Sequence, residues 1–310
     1  MKMKKFILAL MLSAILPATV ASANDGNDSN DGWTLVWSDE FDYDGAPDST
    51  VWNFEQGYIR NHEAQWYQKD NAVCRDGFLV IEGKKTDDPQ KPYTSSSLTT
   101  MNKKEFKYGR FEVRAKIPVG GGAWPAIWVH GTGLQWPSCG EIDMMECYPI
   151  KGEPHLLANA CWGTDKQLVA KWDAAKIPLS HFTEKDPDWK DKFHVWRMDW
   201  DEKEIKLYVD DELLNEVALS ETVNGSFGRH INPFTKPLYI IVNLAMGGDA
   251  GGEIDDSMLP FVYEIDYVRV YQKITVSALF ETETGGRVTG CLREEQPVKG
   301  TVLPWIDSVL

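Results

Sequence analysis

The sequence predicts an all-β protein, two packed antiparallel sheets forming a sandwich or jelly roll, and three observations carry that reading. Short runs rich in β-branched and aromatic residues recur from residue 32 onward, punctuated by Gly, Asp and Pro. No long amphipathic helix pattern interrupts them, and no internal repeat points to a propeller. With 310 residues, 43% of them hydrophobic, the chain can bury a full core, and all-β domains of about 200 to 250 residues fold as one unit.

Taken in order, the chain opens on "MKMKKFILALMLSAILPATVASA", with Lys2, Lys4 and Lys5 ahead of an apolar run and small residues at Ala21 and Ala23. Residues 1–23 therefore read as a secretory signal peptide, the apolar run being shorter than the roughly 20 residues a membrane span needs. The polar "NDGNDSNDG" makes residues 24–32 a linker. With no Cys near the cleavage site to take a lipid, a soluble periplasmic or extracellular product is expected, without membrane contact once the leader is gone. The main domain is expected over residues 33–273. Its strands are "WTLVWS", "GFLVIEG", the faultlessly alternating "FEVRAKI", "EIKLYVDDELLNEV" and "PLYIIVNLA". The stretch from Thr164 to Lys192 reads as loop with at most a short helical turn, limited by Pro178 and Pro187. Beyond "EIDYVRVYQK" the pattern fades, and residues 274–310 read as a tail that adds little to the core.

Charge and cysteines narrow the function classes. The formal net charge of −15 becomes −18 when the leader takes Lys2, Lys4 and Lys5 and no acid with it. Nucleic acid is a poor partner for such a surface, and a neutral substrate fits better than a polyanion. Cys74, Cys139, Cys147, Cys161 and Cys291 are odd in number and contain no CxxC pair. Buried free thiols are the expectation, with one bridge left open.

The chemistry concentrates in "CGEIDMMECY", where Glu141, Asp143 and Glu146 interrupt an apolar run. In a regular strand Glu141 and Asp143 share a face and Glu146 points away. A β-bulge at Met144 or Met145 would remove one residue from the alternation and return Glu146 to the face of the other two. Four regular steps separate Cα atoms by about 13 Å, and two Glu side chains leaning together approach the roughly 5 to 5.5 Å of a retaining glycosidase. Acids on a strand face are commonly just solvated. Here apolar neighbours argue for burial, and packed carboxylates are costly unless one keeps the proton that a general acid needs. Trp124, Trp128 and Trp136 precede the cluster and Trp162 follows it. Indole faces stack on the C–H faces of sugar rings, although any one of the four could equally be core.

"WPSCGEIDMMECY" resembles the active-site strand of glycoside hydrolase family 16, in its bulged E-x-D-x-x-E, laminarinase-type form. "WSDEF", "NHEAQWY", "YTSSSLTT", "FKYGRFEVRAKIP", "GAWPAIWV", "FHVWRMDWDEKEIKLYVDD", "NLAMGG" and "IDYVRVYQ" continue the resemblance in order across the domain. It implies a concanavalin A-like β-jelly roll with a cleft across the concave sheet. Glu141 matches the nucleophile, Glu146 the acid/base and Asp143 the assisting carboxylate. Asn61, Arg110, Trp124, Trp128, Trp136, Trp162 and Asn243 resemble subsite positions. No cofactor for catalysis is implied. A structural calcium is, with Glu40, Gly77 and Asp266 matching its ligands. Many laminarinases carry a histidine on the strand after the active site, where this chain reads "HLLANACWGT".

The activity implied is that of a secreted, monomeric endo-β-glucanase acting on β-1,3-glucan, mixed-linkage β-1,3-1,4-glucan, or both. Within the family the alternative is a galactan hydrolase of the agarase or carrageenase kind. From another class, the alternative is a non-catalytic β-glucan-binding protein. Such binding relatives lose the catalytic glutamates, and this chain keeps them.

Overall fold

The computed structural model describes residues 32–273, so the expected leader, most of the linker, Cys291 and the tail lie outside the described residues. Seventeen strands make two sheets. The first four are β1 (Trp33–Asp39), β2 (Asn53–Phe54), β3 (Gln65–Tyr67) and β4 (Ala72–Arg75). Then come β5 (Phe78–Lys85), β6 (Tyr93–Ser95), β7 (Ser97–Thr99), β8 (Gly109–Lys116) and β9 (Ala123–Gly131). β10 (Glu141–Ile150), β11 (Glu153–Gly163), β12 (Ala170–Pro178) and β13 (His194–Trp200) follow. The last are β14 (Glu204–Val209), β15 (Glu212–Ala218), β16 (Leu238–Met246) and β17 (Phe261–Lys273).

A ten-stranded sheet runs β15-β14-β13-β8-β17-β5-β6-β3, with β1 added on β17 and β4 on β5. A seven-stranded sheet runs β12-β11-β10-β9-β16-β7-β2. Pairing is antiparallel, as the sandwich reading expects, except between the short edge strands β3 and β6, which are parallel. Strand alternation puts one side of each sheet into a shared core. From the seven-stranded sheet come Ile127, Val129, Ile142, Leu156, Ala158, Ile240 and Val242. From the ten-stranded sheet come Phe111, Val113, Trp196, Met198, Leu207, Ile265 and Val270. Each large apolar side chain buried this way contributes about 1.5 to 3 kcal/mol against exposure, which is what holds the sheets face to face.

Helix is confined to α1 (Ser180–Thr183), α2 (Gly248–Gly251) and short 3-10 turns among the described residues. Between Thr164 and Lys192, which the sequence presents as loop, the chain forms the nine-residue edge strand β12. Its Lys and Ala residues hide the β pattern, and continuous pairing from His155–Pro178 to Gly163–Ala170 along β11 creates the strand regardless. Cys74, Cys139, Cys147 and Cys161 are all buried free thiols.

Candidate active site

Four neighbouring strands, β11, β10, β9 and β16, build the site on the outer face of the seven-stranded sheet. In β10, Ile142, Met144, Met145 and Cys147 enter the core, which leaves Glu141, Asp143 and Glu146 on the other side. The parity break is visible in the register. Against β9, Asp143 faces Trp128, Met145 faces Ile127 and Glu146 faces Ala126, so Met144 has no partner there. Against β11, Glu141 faces Cys161 and Glu146 faces Leu157. The five-residue interval from Glu141 to Glu146 thus spans four residues on both neighbours, as a bulge requires. Both methionines of the bulge are buried, so the extra residue is anchored by apolar packing. Gly140, just ahead of Glu141, has φ +83°, and a Cβ there would come within 2.7 Å of Pro233. Only glycine lets the chain enter β10 at that angle.

Each carboxylate has defined donors. The Trp136 indole N–H donates to Glu141 Oε2 at 3.1 Å, and the Cys161 thiol lies 3.9 Å from Oε1. The Trp124 indole donates to Glu146 Oε1 at 2.9 Å. Asn159 Nδ2 donates to Glu146 Oε2 at 3.1 Å and to Asp143 Oδ2 at 3.3 Å, tying the two acids together. The Asn159 side-chain oxygen has no hydrogen-bond partner among the described residues.

Burial dominates the electrostatics. It pushes Glu141 and Glu146 up to about 7, Glu141 being raised further by the charge of Glu146, and Glu146 by that of Glu63. Asp143 rises well above the carboxylate range, first through desolvation and then through the charges of Glu146 and Glu141. Three carboxylates this close cannot all ionise, so the cluster holds protons at neutral pH and titrates as a unit. Asp143 has the strongest reason to keep one, which leaves Glu141 able to carry charge.

Of the seven expected subsite residues, the fold brings five to the site. Asn61, Trp124, Trp128 and Asn243 line the same pocket as the three acids, and Trp136 reaches it through its bond to Glu141. The Trp128 indole donates to Asn243 Oδ1 at 2.7 Å, and Asn243 Nδ2 donates to the Tyr67 hydroxyl at 3.0 Å. Two expectations are corrected. Arg110 lies on β8 in the other sheet, where it makes a two-bond pair with Asp199 at 2.7 and 2.9 Å and covers Trp33. Trp162 is 3% exposed and belongs to the core, because its neighbour Cys161 takes the face of Glu141.

The structure adds Arg60, Glu63, Asn159 and Cys161, which sequence reasoning misses. Glu63 is a fourth carboxylate lining the pocket, held by Gln65 Nε2 at 2.7 Å and Asn61 Nδ2 at 3.3 Å and raised by burial. Arg60 is ion-paired to Glu55 through Nη2 and stacks over Trp128 at 5.2 Å, while its buried Nη1 has no hydrogen-bond partner among the described residues. Arg60 and Glu63 flank a turn whose backbone is left-handed at Asn61 and His62.

Of the expected calcium ligands Glu40, Gly77 and Asp266, both carboxylates are engaged by arginines. Glu40 accepts a forked pair of bonds from Arg269, the shortest 2.7 Å, and Asp266 is ion-paired to Arg114. A dication at these carboxylates would face two guanidinium charges. Among the described residues, no group of three or more His, Cys, Asp or Glu is placed to hold a metal.

Comparison with known proteins agrees with this geometry. The sequence profile described as "Glycosyl hydrolases family 16" matches residues 60–269. The chain is 34% identical to a beta-glucanase of Rhodothermus marinus, over 88% of this chain and 97% of that one. It is 32% identical to a keratan-sulfate endo-1,4-beta-galactosidase of Sphingobacterium multivorum, over 83% of this chain and 58% of that one. Among solved structures, the laminarinase catalytic domain of Thermotoga maritima is 36% identical with a TM-score of 0.67, over 78% of this chain and 99% of that domain. The chain belongs to glycosyl hydrolase family 16.

Proposed function

We propose that the protein is an endo-acting, retaining glycoside hydrolase that cleaves β-1,3-glucan, mixed-linkage β-1,3-1,4-glucan, or both. The observation that carries the reading is the bulge at Met144, which sets Glu141 and Glu146 on one face with Asp143 between them. Ionised Glu141 attacks the anomeric carbon while the protonated Glu146 gives its proton to the departing glycosidic oxygen, leaving a glycosyl ester on Glu141. Glu146, now a carboxylate, takes a proton from water, whose oxygen displaces Glu141 and restores the starting charges. Trp124 and Asn159 hold Glu146 in place, Trp136 holds Glu141, and Asp143 limits the repulsion between them as charge moves. No cofactor enters these steps.

Substrate class follows from the relatives and the pocket. The beta-glucanase and laminarinase relatives are named for β-glucan activity. A pocket with four carboxylates and one arginine already paired suits a neutral polymer. A β-galactoside polymer is the second reading, favoured by the Sphingobacterium relative. Export rests on the leader-like first 23 residues, and the amino-terminal sequence of secreted protein tests it. The function is tested by incubation with laminarin, lichenan, barley glucan and agarose, followed by sizing of the products. Internal cleavage of a β-glucan is expected. Binding of β-glucan with no cleavage would replace the enzyme by a binding protein, and cleavage of agarose alone would move the substrate to galactans.

A further inference from the structure

Strand register extends the catalytic face beyond the pocket. Glu141 on β10 pairs with Cys161 on β11, and Cys161 pairs with Trp172 on β12. Residues directly opposite one another across a ladder share a sheet face, so Trp172 lies on the face that carries Glu141. Two strand spacings put it about 10 Å away, beyond the sugar undergoing cleavage and beside its neighbours along the chain. The next residue confirms the direction: Asp173 accepts a bond from Asn215 of β15, in the opposite sheet, at 3.1 Å. Trp172 is 46% exposed, whereas Trp162 is buried beneath Lys171.

The surroundings favour a saccharide over a protein partner. On the same face of β12, Trp172 is followed by the small Ala174, which stands in the Asp143–Asn159 row and leaves the surface open. Trp136, bonded to Glu141 and 36% exposed, shares a shallow pocket with Gln167 and Leu168 of the loop leading into β12. That loop is tied to the Trp136 loop by Gln167 Nε2 donating to Gln135 Oε1 at 2.9 Å. The indoles therefore lead from the nucleophile toward the edge of the sheet, in the direction a polymer crossing the strands would take. A large aromatic standing half exposed costs solvation free energy that a sugar face recovers.

We propose that Trp172 is a stacking platform for a pyranose ring of the polymer, at a subsite outside the catalytic pocket on the β11–β12 flank of the cleft. This rests on the glycanase reading above, but stacking needs only a pyranose C–H face and not a particular linkage. The platform makes the enzyme prefer longer chains, because short ones do not reach β12.

The test is the length dependence of cleavage, measured with the full exported protein on a laminari-oligosaccharide ladder and laminarin. In Trp172→Ala, the ratio of kcat/KM on the longest to that on the shortest cleaved oligosaccharide should fall roughly three- to tenfold, mainly through KM. Trp172→Phe should recover most of it. An unchanged ratio, or an equal loss at all lengths in both variants, would overturn the platform. Affinity electrophoresis in laminarin separates this from the function itself. A wild-type protein that cuts nothing overturns the glucanase reading, yet supports the platform if Trp172→Ala abolishes its retardation and overturns it if retardation is the same in both.

Discussion

Glu141, Asp143 and Glu146 are three acids that cost the fold stability so that the site can hold protons near neutral pH. Each has a raised value in the folded state, so the folded protein binds protons that the unfolded chain releases between its ordinary 4.5 and about 7 for the glutamates. The stabilisation is therefore fully present below the unfolded value and is lost as pH rises through the folded one. The melting temperature should fall between pH 5 and 8. Glu141→Gln, which removes one such group, should raise it at pH 8 by an amount of the order of 2 kcal/mol, about 4 to 8 °C, in a calorimetric scan. The same cluster predicts a bell-shaped kcat/KM profile, losing activity below neutrality as Glu141 takes a proton and above it as Glu146 loses one. Glu141→Gln should lower turnover on the order of 10⁴-fold or more, while Glu146→Ala should lose far less on aryl glycosides, whose leaving groups need little protonation. At this scale motif spacing and strand parity made the one-face placement of Glu141, Asp143 and Glu146 legible, while Asn61, Asn243 and the three tryptophans that the fold brings to the pocket were implied by the family resemblance alone. Trp162 and Arg110, implied in the same way, lie elsewhere. For Trp162 a single-residue step decides the face, and for Arg110 alternation along a strand says nothing about which sheet the strand joins.

The β10 bulge converts an odd spacing into an even one, and deletions separate parity from chemistry. Removing Met144 gives E-I-D-M-E and keeps the acids on one face, at the loss of a buried side chain worth about 2 to 4 kcal/mol. Measurable glucan cleavage should survive in this variant. Removing Met144 and Met145 together gives E-I-D-E, which turns the last acid toward the core, and cleavage should vanish in a protein that is also strongly destabilised. Equal loss in both, with circular dichroism showing both folded, would mean that parity does not position Glu146. The bulge could be argued from sequence because both faces were chemically marked, acids outside and Ile142 and the methionines inside. β12 could not, since its face toward the cleft carries Trp172, Ala174 and Lys176 and advertises no alternation.

For the molecule as a whole, the jelly roll was legible from the density of strands, whereas the partners of its charged side chains were not. Glu40 and Asp266 sit where the family resemblance puts calcium, yet Arg269 and Arg114 satisfy them, a matter of side chains meeting across strands far apart in sequence. Excess EDTA should accordingly leave the melting temperature unchanged, and added calcium should not raise it; a rise of several degrees with calcium would restore the metal site. All of these elements serve one arrangement, Glu141 and Glu146 on one face of the seven-stranded sheet with Asp143 between them. Its most direct test is the anomeric configuration of the first product, followed by proton NMR during laminarin cleavage before mutarotation. The double displacement through Glu141 requires the β-anomer to form first, and first appearance of the α-anomer would contradict it.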